Sequence, residues 1–487
     1  GRRLLCGDGS VAVNSPEVAL DVSLAENLKS WRGTANASIA KVAAGSAEAA
    51  KLGVRTRFSG SAARTALDVD AEMTALSVLD FSARRVELSA KAVVGHGAPK
   101  AEGHVHFAEG SASLALRNSI ARSGASLDGS PLGPLAAKAT AALSRMLANM
   151  SGSSAFSLVG DNRTARFELV APQLESAAGA RITSDGGSRI AWLLAAPGTA
   201  MTIEGDWIFG GGGLPSGSLA LDRSANGATR GEARFDPYVA DGARLALDPV
   251  RFSGGPEGML RFATRASLSG PLADGRVDGL TVPLAGTLAP TGEIALAGGC
   301  TRVGFDRLDA SGFRIGPSGI NLCSRPGAPL LTTGRRGLRG TVRAPGIALR
   351  GTSGSSPFAF DAGRGEVDLA AMRWTLSRAD VRLGEGESMT RFTAARIGGS
   401  PASGSISGDL SGATGKIGAV PLALSDIAGR WRWQGGALTL DGGLLLTDAD
   451  PDPRFFPLVS DMATLRYADG RIDAKASFRE RKSGRKI

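Results

Sequence analysis

Leu260-Arg261-Phe262-Ala263-Thr264-Arg265-Ala266-Ser267-Leu268 is the stretch that decides the fold class. One face reads Leu260, Phe262, Thr264, Ala266 and Leu268, and the other Arg261, Ala263, Arg265 and Ser267. Successive strand residues point to opposite faces, so a period of two describes a half-buried strand. The same period holds outward in both directions. Towards the N-terminus it places Val54 with Phe58, Leu67 with Val69, Leu114 with Leu116, Phe167 with Leu169, Ile190 with Trp192, and Leu245 with Leu247 on one side of their segments. Towards the C-terminus it groups Val367 with Leu369, Met372 with Trp374 and Leu376, Trp431 with Trp433, Leu438 with Leu440, and Ile472 with Phe478. Arginines and aspartates fill the intervening positions.

Turn dipeptides separate the runs. Ala468-Asp469-Gly470-Arg471 joins two alternating segments through an Asp-Gly pair, a hairpin signal. One segment breaks the period. From Ser130-Pro131 to Met150 the apolar residues Leu132, Leu135, Ala136, Ala139, Leu143, Met146, Leu147 and Met150 recur at helical spacing, with Ser130 as N-cap and Pro131 in the first turn. The expected organisation is therefore strands over 1–129, an amphipathic helix over 130–151, and more strands over 152–487. No repeat of fixed length is present.

The 487 residues are 43% hydrophobic and 21% charged, which excludes a disordered chain. The net charge of +10 comes from single arginines spread along strands, without aromatic interleaving, so nucleic acid is not an expected partner. No apolar run reaches the ~18–20 residues of a membrane-spanning helix. The chain opens on Gly1 and stops after a strand-like segment, as a piece of a longer protein does. Two of the three cysteines, Cys300 and Cys323, flank a compact Gly-rich stretch. A disulfide there implies an oxidising compartment such as the bacterial periplasm; the alternative is two unpaired small hydrophobes.

No motif gathers catalytic, metal-binding or cofactor-binding residues, so no enzyme, metal or cofactor is expected. His104 and His106 share a strand face but lack a third ligand. Asp448, Asp450 and Asp452 form a D-x-D-x-D run, yet Pro453 and Val459 stand where an EF-hand needs Gly and Glu. Gly210 to Gly213 are followed by no Lys-Ser/Thr pair.

An amphipathic sheet must bury its apolar face. Roughly thirty strands at ~4.8 Å each give a length on the order of 140 Å, and an open sheet of that size must curl. The reading is all-β: a long curved antiparallel sheet forming an open groove, a half-pipe with an apolar interior lined by the residues named above. The alternative is a surface β-repeat adhesin. The Cys300 to Cys323 segment with Phe305, Leu308, Gly312-Phe313 and Pro329-Leu330 resembles the YdbH-like branch of the AsmA/TamB-like intermembrane phospholipid transport family of Gram-negative bacteria. So do Gly275-Arg276-Val277 with Leu280 and Pro283-Leu284, and Asp452-Pro453-Arg454-Phe455 with Pro457-Leu458 ahead of Tyr467. The first ~200 residues match that family in texture alone. The resemblance implies a periplasmic groove that takes phospholipid acyl chains from the inner towards the outer membrane. It also implies an inner-membrane anchor through an N-terminal helix and an outer-membrane lipoprotein partner reached through a C-terminal domain, both outside this chain.

Overall fold

The alternating segments become strands in the computed structural model, which describes residues 3–6, 11–27, 29–123, 127, 129–160, 164–195, 198–334, 337–402, 404–468 and 471–487. The fold is all-β, with 39 strands among the described residues, from Arg3–Cys6 to Arg479–Glu480, and antiparallel neighbours throughout the described pairings. Leu260–Leu272 is one strand; Ala266 and Leu268 are buried on it, while Arg261 and Arg265 are exposed. The chain divides into two compact units, Gly1–Asp128 with Leu132–Leu260, and Gly129–Pro131 with Arg261–Ile487.

In the first unit Val11–Leu24, Trp31–Ala44, Lys51–Gly60, Arg64–Val78, Phe81–Gly95 and Lys100–Ala112 pair each with the next. Lys100–Ala112 then pairs with Met150–Gly160, and between those neighbours the chain leaves the sheet to form two helices, α1 (Leu114–Ser123) and α2 (Gly133–Met146). The first of these corrects the strand expected at Leu114 and Leu116. The Ser113 hydroxyl accepts a hydrogen bond from the Leu116 backbone N–H at 3.2 Å, an N-cap that turns the chain into a helix. Helix α2 starts two residues later than expected, with Leu132 rather than Ser130 at the cap and Pro134 in the first turn. Its Met146 packs with Met150 and Ala180 against Phe81, Phe107, Leu174 and Ile182, so the helix lies on apolar sheet surface of its own unit.

In the second unit Cys300 and Cys323 face each other in register and form a disulfide that closes the segment between them. Leu369 and Met372, expected on strands, lie in the turn between Arg364–Asp368 and Arg373–Leu383. The Asp368 carboxylate accepts from the backbone N–H groups of Ala370 and Ala371 and so builds that turn, and Met372 has a left-handed φ of 49°. Asp469 and Gly470 lie outside the described residues; the flanking strands pair with Ala468 opposite Arg471.

A seam runs across the strands of each unit. Apolar-side residues are two apart along most of a strand, but three apart at the seam. Met73 is followed by Leu76, Ala83 by Val86, and Phe107 by Gly110; in the second unit Leu376 is followed by Ala379, Leu410 by Ala413, and Leu424 by Ile427. One residue at each break often takes a left-handed φ, as at Ala75 (52°), Glu109 (51°), Arg378 (52°) and Asp426 (54°). Extra residues of this kind bend the strand and sharpen its twist.

Candidate functional site

The register pairs collect the apolar side chains into rows that cross each unit. In the first unit one row runs through Val22, Gly33, Phe58, Leu67, Ala92, Ala101, Leu158, Phe167, Trp192 and Met201, each residue opposite the next, with no polar side chain among them. The adjacent row holds Thr56, Val69, Ala90, Gly103, Phe156, Leu169 and Ile190. Phe156, Phe167 and Trp192 stack in sequence, with ring centroids 6.0 and 5.7 Å apart. Val54 lies on the same face, opposite Ala71.

The second unit repeats the device. Leu349, Phe360, Val381, Phe392, Gly415, Leu424, Leu446 and Leu458 form one row. Val367, Trp374, Gly399, Gly408, Trp431, Leu440 and Leu465 form another. Trp374 and Trp431 meet at 5.7 Å between centroids, and the Trp431 indole donates to the Gly398 carbonyl at 3.1 Å. Leu376 pairs with Ile397, and Trp433 with Leu438; Ile472 is placed beside Tyr467 by register, and Phe478 packs against the same cluster from outside the strands. Leu245 and Leu247 are half-buried on Ala243–Leu247, and Leu260 and Phe262 likewise on their strand. Leu114 and Leu116 lie in α1 and Leu369 and Met372 in the turn, apart from the rows. The small members, among them Ala92, Ala101, Gly399 and Gly408, carry no signal in single-sequence hydrophobicity, and only the register reveals them as rungs.

Small side chains at the seam are closely covered. Ala413 is 0% exposed, Ala394 and Ile427 2%, and Ala83 2%.

The reverse face is ionic. Asp21, Thr34, Arg57, Asp68, Lys91, Glu102 and Ser157 form a cross-strand row directly behind the apolar one. Glu232 is clamped by Arg251 and Arg234, whose hydrogen bonds hold its carboxyl below the ordinary range. At Asp361 burial pushes the carboxyl up, but hydrogen bonds from Arg350 and Arg382 outweigh it and hold the group down. His104 and His106 are exposed on this face, across from Ser89 and Glu87. The aspartate run has its own employment. Asp448 accepts from the Arg454 side chain at 2.7 Å, from the Arg454 backbone N–H and from the Asp450 N–H, which lowers its pKa to about 2.

Rows of apolar side chains with charge ladders behind them define an amphipathic β-sheet protein. Comparison with known families specifies it further. The family model described as YdbH-like, intermembrane phospholipid transport protein YdbH, matches residues 2–486, and the chain belongs to that family. It is therefore a lipid-transport protein of a family that is not an enzyme family, with phospholipid as cargo. No curated protein matches the chain.

Proposed function

We propose that this chain is a bridge segment along which phospholipid passes between the inner and outer membranes of a Gram-negative envelope, its acyl chains on the apolar rows and its charged face in the periplasm. The observation that carries this reading is the seam. Its small buried residues lie on the apolar side, as they do when strands bend around that side, so the rows line the inside of a trough. Each rung then offers a chain apolar contact worth about 25 cal/mol per Å² covered. Expected partners are the inner membrane, through an N-terminal anchor, and an outer-membrane lipoprotein. Among the described residues no helix is long and apolar enough to cross a membrane.

The test is a charge on a rung. Leu440 is half-buried, so Leu440→Asp leaves its carboxylate hydrated and the fold intact. Phe262→Asp is the matching change on Leu260–Leu272. Both variants are expected to lose transfer of fluorescent phospholipid between vesicles while keeping the wild-type circular dichroism. Undiminished transfer together with undiminished lipid photocrosslinking would overturn the proposal.

A further inference from the structure

At one end of the first unit's strands the two-faced rule fails. A row near the tips of the charged face reads Val93, Lys100, Val159, Arg166, Leu193 and Ala200, each opposite the next, with Arg64, Gly95, Thr164 and Gly198 beyond it. The row directly inside it on that face reads Lys91, Glu102, Ser157, Glu168, Ala191 and Thr202. The inner row carries charges of both signs and no exposed aliphatic, whereas the row near the tips alternates aliphatic side chains with cations. The apolar face continues to the same tips, so the strand ends are aliphatic on both sides. Val159 (41% exposed) and Leu193 (43%) stand on the charged side, and Leu158 (37%) and Leu194 (44%) on the other.

Nothing in a sheet buried on one face calls for exposed aliphatics on the other. The cations at the tips supply the missing term. Arg64, Lys91 and Lys100 line a shallow cavity of about 500 Å³ with Val93, Val94 and Val159. Glu102 stands across from Lys91, yet among the described residues no ion pair engages Arg64, Lys91 or Lys100. Arg166 and Arg189 are spent differently, both on Glu168, at 3.1 and 3.4 Å. A water-facing edge with a surplus of unpaired cations and aliphatics on both sides matches the boundary of an anionic bilayer. Aliphatic side chains enter the acyl border there, and each lysine or arginine gains about 1 kcal/mol from the anionic surface.

We propose that these strand tips, centred on Lys100, Val159 and Leu193, form a membrane-docking edge that seats the first unit on an anionic phospholipid surface. Flotation of the full chain with vesicles of equimolar phosphatidylethanolamine and phosphatidylglycerol tests it. Val159→Asp/Leu193→Asp should lower the bound fraction at least about tenfold, the cost of two exposed leucine-sized groups withdrawn from an apolar border. Lys91→Glu/Lys100→Glu, which leaves packing untouched, should weaken binding comparably, and added salt should weaken the wild type. Leu440→Asp, a rung of the second unit, should float like the wild type, so failure of the transport reading and failure of this one are separable. Wild-type flotation by both tip variants overturns the proposal, as does a wild-type chain that stays in the soluble fraction. A tip variant that turns a dimer into a monomer while still floating assigns the edge to self-association and equally overturns it.

Discussion

At the scale of single residues, tolerance is narrow at Gly399, beneath the indole pair. A Cβ there would meet Trp431 Cζ2 at 2.8 Å and Trp374 Cζ2 at 2.9 Å, so the indole pair fits only over a bare backbone. Gly399→Ala should cost about 1–3 kcal/mol, the usual penalty of overpacking, and should part the rings. Urea unfolding followed by tryptophan emission reads both effects, and an unchanged midpoint would mean that the pair shifts freely. Asp448 supplies the complementary electrostatic case. Held ionised by Arg454, its carboxylate has a folded-state pKa of about 2, below its unfolded value. The contribution is therefore complete near neutral pH and is lost as pH falls from about 4 towards about 2. Wild type should lose stability over that window, and Arg454→Gln should show a shallower decline there. Equal slopes would detach Arg454 from the effect.

At the scale of the element, the seam makes a prediction with an unusual sign. Ala75 holds a left-handed φ of 52°, which costs an L-residue about 1–2 kcal/mol that glycine does not incur. Ala75→Gly should therefore be neutral or stabilise by up to about 1 kcal/mol. Ala71→Gly, four residues away on an ordinary strand position opposite Val54 and Leu88, should destabilise by about 0.5–1 kcal/mol. A thermal-melt comparison decides; destabilisation by both would remove the strain argument. The seam also shows what the sequence conceals. The arms were legible, because Phe58 and Leu67 or Trp431 and Leu440 sit in regular alternation. A one-residue slip at Thr74-Ala75 resembles noise in a hydrophobic pattern, since its cause is a backbone angle rather than a residue type. Leu114-x-Leu116 satisfies a strand and the start of a helix equally, and the deciding signal is Ser113, which is polar and easily passed over. Asp368 plays the same part before Leu369.

At the scale of the whole molecule, a bridge and a carrier make different predictions from the same rungs. In a bridge lipid passes every rung in turn, so a charge in either unit blocks all of it. In a carrier with independent sites, each block removes only its own share. Phe167→Asp in the first unit and Leu440→Asp in the second each interrupt a row without touching the other. On the bridge reading each single variant should abolish vesicle-to-vesicle transfer, and the double variant should be no worse than either. Such non-additivity is the mark of two sites acting through one path. Copurified phospholipid should behave otherwise, falling only in part in each single variant, because rungs away from the charge still hold acyl chains. Transfer reduced to about half by each charge and to nothing by both would instead show that the units carry lipid separately, and the apolar rows would then be storage surfaces rather than a track.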